Sequence, residues 1–391
     1  MPTRNQYGAG ERQVHVLEIL GNAIVGGMEN YVRNLIQQIP PDQFRVTCLC
    51  PYESAFTAIL REIGCDVFIA PMADDPPWRS IQAAVELIRH QGIDLVHAHL
   101  PNAHVLAGLA GCLTRTPVVA TVHGMTITTQ ELGISRTTGT SLVVVCQAAY
   151  TQALAMGVPP ERLTLIPNGV DTRTFVPDRS GDAFREAIGV PLDAPLVGFV
   201  GRLAPEKGPD HFVRAAERVH SRQPDVHFAV VGTGDMEDEV DALIKQLRLE
   251  DCVHLAGLWT NTWEVYPAFD ILAQSSRAEG MPYVLLEAMA CGCPVVAIAV
   301  GGVPEIVEVG TTGVLAGPGD WAGVGNAVLE LLVRPQRLKQ MGQAGRQRVE
   351  AHFDLSESVE RMSELFRRLV NVEARHRTVW RSPWPAKVAA R

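Results

Sequence analysis

Four charged side chains carry most of the chemistry this sequence can offer. Arg202 and Lys207 lie in Val-Gly-Arg-Leu-Ala-Pro-Glu-Lys-Gly (residues 200–208), directly after the apolar run 196–200. A guanidinium offers a planar fork and an ammonium a compact charge, and both suit a diphosphate. Glu279 and Glu287 stand eight residues apart, one just before an expected helix and one on it. A carboxylate can accept from two adjacent hydroxyls at once, as a sugar or a ribose presents them. Between the two glutamates, Pro282 can start a helix, because its missing N–H is not needed there. A helix N-terminus carries partial positive charge and binds anions, so Gly280 and Met281 would offer backbone amides to one. Taken singly, each feature has a plain alternative. The first is then a solvated loop with two charges. The second is a helix with one glutamate aiding its N-terminus and one facing solvent.

Histidines and cysteines add less. His123, in Thr-Val-His-Gly, follows an expected strand. His97 and His99 form an H-x-H pair whose side chains share one face of a strand. Strand-end packing or hydrogen bonding is the expected role for that pair, ahead of metal binding. No Asp-x-Asp occurs in the sequence. Sites that hold a nucleotide diphosphate through a divalent ion need clustered carboxylates. Arg202, Lys207 and a helix dipole are therefore expected to hold it, with no metal. The eight cysteines include two C-x-C pairs and no C-x-x-C. They read as reduced, buried thiols, which points to a cytoplasmic protein.

The elements that must position these residues alternate strand and helix. Short apolar, β-branched runs occur at 14–20, 44–50, 67–70, 95–98, 118–122 and 142–146. Helical patterns separate several of them, at 29–39, 80–90 and 103–113. The alternation pauses at a proline- and charge-rich stretch. It restarts with strands at 196–200, 226–231, 253–255, 271–273, 295–298 and 314–316, and a helix at 210–220. This is the pattern of βαβ units around parallel sheets buried on both faces. Two doubly wound domains in tandem are expected, each opening with strand, Gly-bearing loop and helix.

These motifs together resemble the donor site of retaining glycosyltransferases of the large family-four group. The resemblance rests on Glu279-x7-Glu287, on the following Ala-Met-Ala-Cys-Gly-Cys-Pro-Val-Val-Ala, and on Gly-Gly-Val-Pro-Glu at 301–305. Residues 200–208 resemble that family's phosphate-binding loop. Ile-Pro-Asn-Gly-Val-Asp (166–171) resembles the segment that ends its N-terminal domain, and Gly-Gly-Met-Glu (26–29) its first Gly-rich loop. The match runs from about residue 14 to 353, in the family's order.

The resemblance implies the GT-B fold, two Rossmann-like, doubly wound parallel-sheet domains facing a cleft. Taken with the pause in the pattern, a last amphipathic run and the basic end, it leads us to expect an N-terminal acceptor-side domain (1–176), a linker (177–195), a C-terminal nucleotide-sugar domain (196–353), a C-terminal helix (354–371) and a basic tail (372–391). It implies a hexosyltransferase whose co-substrate is a UDP- or GDP-sugar, with no other cofactor, and whose acceptor is a glycan or lipid-linked saccharide. Arg202 and Lys207 would hold the diphosphate, Glu279 the sugar hydroxyls and Glu287 the ribose. Gly26, Gly27, Gly280, Met281 and Pro282 would line the donor. His123 would sit beside the reacting sugar, and Glu29, Asn30 and His104 on the acceptor side. Two departures stand out. Met281 replaces the family's more frequent aromatic, and Cys146-Gln147 replaces its usual serine after the last N-domain strand. A sugar-nucleotide epimerase and a non-catalytic nucleotide-sugar binder are the competing readings.

Bulk numbers agree with this class. The chain has 391 residues, 47% hydrophobic and 20% charged, which suits about two soluble domains. Its net charge of −9 argues against nucleic acid as the main partner. No apolar run is long enough to span a bilayer, and the N-terminus lacks an apolar signal core. From Phe366 onward there are seven basic residues and one acidic one, with Trp380 and Trp384 among them. Tryptophan and basic residues favour the lipid headgroup zone, so peripheral membrane contact is an expectation for this tail. Vesicle flotation checks it: deleting residues 372–391 should reduce recovery with anionic vesicles, and equal recovery with and without the tail would end the idea.

Overall fold

The structure is a computed structural model that describes residues 12–24 and 26–379. The chain opens with β1 (Val14–Leu20), α1 (Gly27–Gln38), β2 (Phe44–Cys50), α2 (Ala55–Glu62), β3 (Asp66–Ile69), α3 (Trp78–Gln91) and β4 (Leu95–His99). It continues through α4 (Pro101–Thr114), β5 (Val118–Val122), α5 (Thr129–Thr138), β6 (Ser141–Val144), α6 (Gln147–Ala155) and β7 (Leu163–Leu165). A short α7 (Asp182–Ala187) leads to β8 (Leu196–Val200), α8 (Pro209–His220), β9 (His227–Val231), α9 (Glu237–Leu247), β10 (Val253–Gly257) and β11 (Ile271–Gln274). The remainder is α10 (Tyr283–Ala290), β12 (Val295–Ile298), α11 (Val303–Ile306), β13 (Gly313–Ala316), α12 (Trp321–Leu332), α13 (Pro335–His352) and α14 (Leu355–Val379).

Two parallel sheets result. The first runs β3-β2-β1-β4-β5-β6-β7 and the second β10-β9-β8-β11-β12-β13. Central strands such as β4, β5 and β12 are buried along their whole length, as strands covered on both faces must be. In each sheet the order first steps backward and then reverses, between β1 and β4 and between β8 and β11. In open α/β sheets, ligands bind beyond the carboxyl ends of the strands at such a reversal. The loop with Arg202 and Lys207 follows β8 and the loop with Glu279 follows β11, so the second reversal holds the residues singled out from the sequence.

Most strands lie within a residue or two of their expected bounds, but the domain boundaries differ. The chain divides into two compact units. One comprises Met1–Val122, Thr128–Val143 and Val359–Arg391, the other His123–Ile127 and Val144–Ser358. The expected first domain, residues 1–176, is therefore cut short. Residues near Val170 join the second unit because Val170 N–H donates to Phe353 O (2.9 Å) and Leu355 N–H to Val170 O (3.0 Å). The chain from Val359 returns to the first unit, where Phe366 packs edge-on against Phe44 and His97.

Two further expectations are corrected. The segment 177–195 is not a plain linker. It contains α7, and Phe184 is buried against Trp259 and Phe269. Arg185 beside it donates to Ala268 O (2.9 Å), Ala194 O (2.6 Å) and Asp270 Oδ2 (3.1 Å). The last helix does not stop near 371 but runs to Val379, since nothing before Pro383 breaks a helix. Trp380 and the rest of the tail lie outside the described residues. No helix among the described residues is long and apolar enough to cross a membrane.

Phe184 is the test of whether α7 belongs to the second unit's core. Truncating a buried phenylalanine to alanine costs about 3–5 kcal/mol. Phe184→Ala should lower the second unit's denaturant midpoint accordingly, with the first unit unfolding as before.

Candidate donor site and the first sheet's reversal point

Within the second unit, the loops after β8 and β11 are stitched together. Gly208 has φ +62, and a Cβ there would lie 2.3 Å from Ser275 O, so only glycine fits without strain. Ser275 Oγ donates to Gly208 O at 2.7 Å. Arg277 N–H donates to Glu206 O (2.8 Å). Its guanidinium donates to Pro205 O (2.7 Å) and, as a fork, to both carboxylate oxygens of Asp210 (2.9 and 2.6 Å). Burial alone would raise the Asp210 carboxyl, but the Arg277 contacts outweigh it and hold it below its usual range.

That stitching aims Lys207 at Glu279. The ammonium donates to both carboxylate oxygens at 2.8 Å. Gln274 Nε2 (3.0 Å) and Ser276 Oγ (2.7 Å) donate to Glu279 Oε1 as well. Glu279 is buried and Lys207 half-buried. A buried carboxylate needs such partners, because desolvation without them costs several kcal/mol. Arg202 differs. It is exposed, and its guanidinium pairs with Glu206 four residues on. Thus Lys207 and Glu279 are brought together, while Arg202 stands on the exposed side of the same loop.

The helix after Glu279 also departs from expectation. Pro282 is the N-cap of α10 rather than its first residue, and no side chain caps that end. Met281 is buried, and its carbonyl accepts from Asn168 Nδ2 at 2.7 Å. Gly280 O accepts from Gly302 N–H at 2.8 Å. A Cβ on Gly280 would lie 2.0 Å from the carbonyl oxygen of His123, so the backbones of these two residues are in close contact. The His123 side chain is half-buried. Glu287 does not face solvent: it is buried and accepts from the Tyr266 hydroxyl at 2.6 Å. Burial and then the Glu287 charge push the Tyr266 hydroxyl well above its usual pKa, so it stays a donor. At Cys146-Gln147 the amide of Gln147 donates to both oxygens of Glu305 (2.8 and 2.9 Å). A carboxylate from Gly-Gly-Val-Pro-Glu therefore caps α6 where the resemblance expects a serine. An open cavity of about 730 Å³ lies at the C-terminal end of α10, lined by Tyr266, Cys291 and Arg346 among others, and includes neither Lys207 nor Glu279.

The first unit holds the remaining expected residues, and two need correction. Helix α1 begins at Gly27 with Gly26 as its N-cap, earlier than expected. Glu29 is enclosed in its first turn, and Asn30 is half-buried. His104 has no exposed surface and lies 3.3 Å from Glu131 Oε1, so its side chain is a core group rather than an acceptor contact. Glu29 is buried to a similar degree, at 4% exposure, and is equally enclosed.

His97 and His99 make the hydrogen bonds expected of them, to a partner not singled out from the sequence. Glu18, on the neighbouring β1, accepts from His97 Nδ1 at 3.0 Å and His99 Nε2 at 2.8 Å. His97 Nε2 and Thr121 Oγ1 are 2.7 Å apart. The ligand atoms of Glu18, His97 and His99 lie within 4.8 Å of one another. Burial would raise the Glu18 carboxyl, yet the charge and hydrogen bonds of the two histidines hold it at about 2. Burial and then the charge of His97 lower His99 to about 4. Beyond this network Leu100 takes φ +76, a region that costs a side-chain-bearing residue about 1–3 kcal/mol. Asn102, two residues on, donates to Gly21 O at 2.9 Å and ties β4's end to β1's.

Comparison with known proteins gives the family and the fold. Residues 25–174 match the family described as Glycosyltransferase Family 4, and residues 181–348 that described as Glycosyl transferases group 1. The chain is 30% identical over 362 residues to the GDP-mannose-dependent monoacylated alpha-(1-6)-phosphatidylinositol monomannoside mannosyltransferase of Corynebacterium glutamicum, covering 87% of this chain and 94% of that protein. It is 30% identical over 420 residues to the D-inositol 3-phosphate glycosyltransferase of Kineococcus radiotolerans, covering 94% and 93%. Among solved structures, Anabaena Alr3699/HepE in complex with UDP-glucose has the same fold, with a TM-score of 0.81 at 23% identity over 90% of this chain and 99% of that one.

The buried histidines give a pH prediction. Burial first, then the charge of His99, holds His104 down to about 3, against an ordinary 6.5. A group so depressed contributes stability that is full above pH 6.5 and is lost as pH falls toward its folded value. At about 1.4 kcal/mol per unit, His104 alone should cost about 2 kcal/mol between pH 7 and pH 5. Denaturant unfolding of His104→Leu should show a correspondingly shallower loss over that interval than the wild type.

Proposed function

The chain belongs to the glycosyltransferases of group 1 and family 4 and is a hexosyltransferase of GT-B fold, and from that premise we propose that it passes a hexose from a UDP- or GDP-sugar to a hydroxyl of a glycan or lipid-linked saccharide, with retention of configuration and without a metal. The observation that carries the reading is the Lys207–Glu279 pair at the reversal of the second sheet. One group suits a diphosphate and the other suits sugar hydroxyls, and their contact brings both kinds of recognition to one place.

On this reading the donor's arrival exchanges partners. The diphosphate replaces Glu279 as the acceptor for Lys207, with Arg202 as the outer cation. The sugar's hydroxyls replace Lys207 as donors to Glu279, while Gln274 and Ser276 keep the carboxylate oriented. The amides around Gly280 and Met281 face the sugar and phosphates, and Glu287 takes the ribose. The contact of the His123 backbone with Gly280 supports a place for His123 beside the reacting sugar. Gly26, Gly27 and Asn30 lie toward the acceptor. The transition state is oxocarbenium-like, and negative charge grows on the departing phosphate. Cations and amides fixed in advance stabilise that charge more in the transition state than in the ground state. The leaving phosphate takes the acceptor's proton on the face it departs from, which gives retention with no covalent enzyme intermediate. A cytoplasmic enzyme working at the membrane surface suits a lipid-linked acceptor.

Two other readings stay testable. An epimerase would convert the nucleotide sugar with no acceptor present, and a binding protein would release no nucleotide at all.

Removing one such contact costs about 3 kcal/mol in barrier, roughly a hundredfold in rate. Lys207→Ala should therefore lower kcat by about two orders of magnitude with the circular dichroism spectrum unchanged. Near-normal turnover would remove Lys207 from the diphosphate site. Adding a chelator should leave the wild-type rate within about twofold; abolished activity would mean that a metal is required.

A further inference from the structure

Glu287 reaches its place through a partner that no sequence motif marks. Tyr266 lies in a single helical turn just before β11, and Glu287 on α10 just after that strand's loop. The Tyr266 ring has no exposed surface. It packs against Phe175 (centroids 6.1 Å) and edge-on against Phe269 (6.4 Å), so its hydroxyl has one direction in which to point. That hydroxyl donates to Glu287 Oε2 at 2.6 Å, a short bond of the charge-assisted kind. One hydroxyl takes one of the lone-pair sites of a carboxylate and fixes its plane.

We infer that Tyr266 is a positioning residue for nucleotide recognition, holding the Glu287 carboxylate in the orientation that accepts from the vicinal hydroxyls of a ribose. This rests on the reading that Glu287 binds the ribose. A diol is recognised only if both acceptor oxygens lie in register with it, and a carboxylate turned about its last bond offers one oxygen at most. Tyr266 therefore sets the preference for ribonucleotides over deoxyribonucleotides while touching neither. Burial favours the same division of labour. A carboxylate enclosed on α10 must keep one fixed donor when the site is empty, and a hydroxyl locked by aromatic packing provides it without adding a competing charge.

The test is calorimetric titration of the wild type, Tyr266→Phe and Glu287→Gln with GDP, UDP and their 2′-deoxy forms. Phenylalanine keeps the ring packing and deletes only the hydroxyl. The wild type should prefer the ribonucleotide by about tenfold or more, the scale of a hydrogen bond to a charged group. Tyr266→Phe should weaken the ribonucleotide about tenfold, leave the 2′-deoxy form nearly unchanged, and so collapse the preference. A purely structural loss would weaken both forms equally and leave the ratio intact. If Glu287→Gln collapses the preference and Tyr266→Phe keeps it, the inference is overturned while the ribose reading stands. If Glu287→Gln keeps the preference, the ribose reading itself fails, and the inference with it. Melting temperatures of both variants, within a few degrees of the wild type, show that the comparison is between folded proteins.

Discussion

The bidentate contact between Lys207 and Glu279 is the interaction on which the proposed reading of the second unit depends. It exists because two loops from adjacent strands are held at one spacing. Gly208 lets the first loop turn back against Ser275, and Arg277 clamps it from the other side. Without that clamp a lysine on a flexible stem would sample water, and a carboxylate with little exposed surface would lack a counter-charge. The pair is also its own counter-charge. On the proposed reading, an anionic ligand displaces a carboxylate to reach the ammonium, so a plain phosphate that brings nothing for Glu279 to accept from would gain less than a sugar diphosphate.

The two sheets use their reversal points differently. Beyond the second sheet the charged groups stand in loops, with Arg202 exposed, Lys207 half-buried and Glu279 buried. In the first sheet they stand on the strands themselves: Glu18, His97 and His99 are enclosed and bonded to one another. The difference follows from position. A side chain on a central strand is covered by helices on both faces, whereas one in the loop beyond the strand is not. The first network joins β1 to β4, and the Asn102 contact with Gly21 ties their ends.

Much of this was legible in the sequence, and the reasons are physical. Buried parallel strands must be apolar and β-branched, so twelve of the thirteen could be placed nearly to the residue from runs such as VVATV and VVAI, and only the three-residue β7 was missed. Arg202 and Lys207 were singled out because they stand in the loop after such a run, and Glu279 because it stands just before a helix start, eight residues from Glu287. What escaped was set by partners distant in the chain. Tyr266 gave no signal, since a tyrosine before a strand is ordinary and its bond to Glu287 crosses 21 residues. Glu18 did give one, a lone acid inside the apolar run VHVLEIL, but its meaning required His97 and His99 on the next strand. His104 and Glu29 were placed on the acceptor side by resemblance alone, and their burial depends on packing that no local pattern shows. The helix α7 was hidden by the prolines around it, although Phe184 was a reason to expect burial.

The last helix is shared between the two units. It starts in the second unit and, from Val359 on, belongs to the first, where Phe366 meets Phe44 and Arg367 donates to Gln43. Domains generally fold in the order in which they leave the ribosome. Here the first unit lacks part of its own core until everything in the second has been translated. A nascent chain must therefore carry an incomplete N-terminal half, with Phe44 uncovered, for the whole time needed to make residues 144–358.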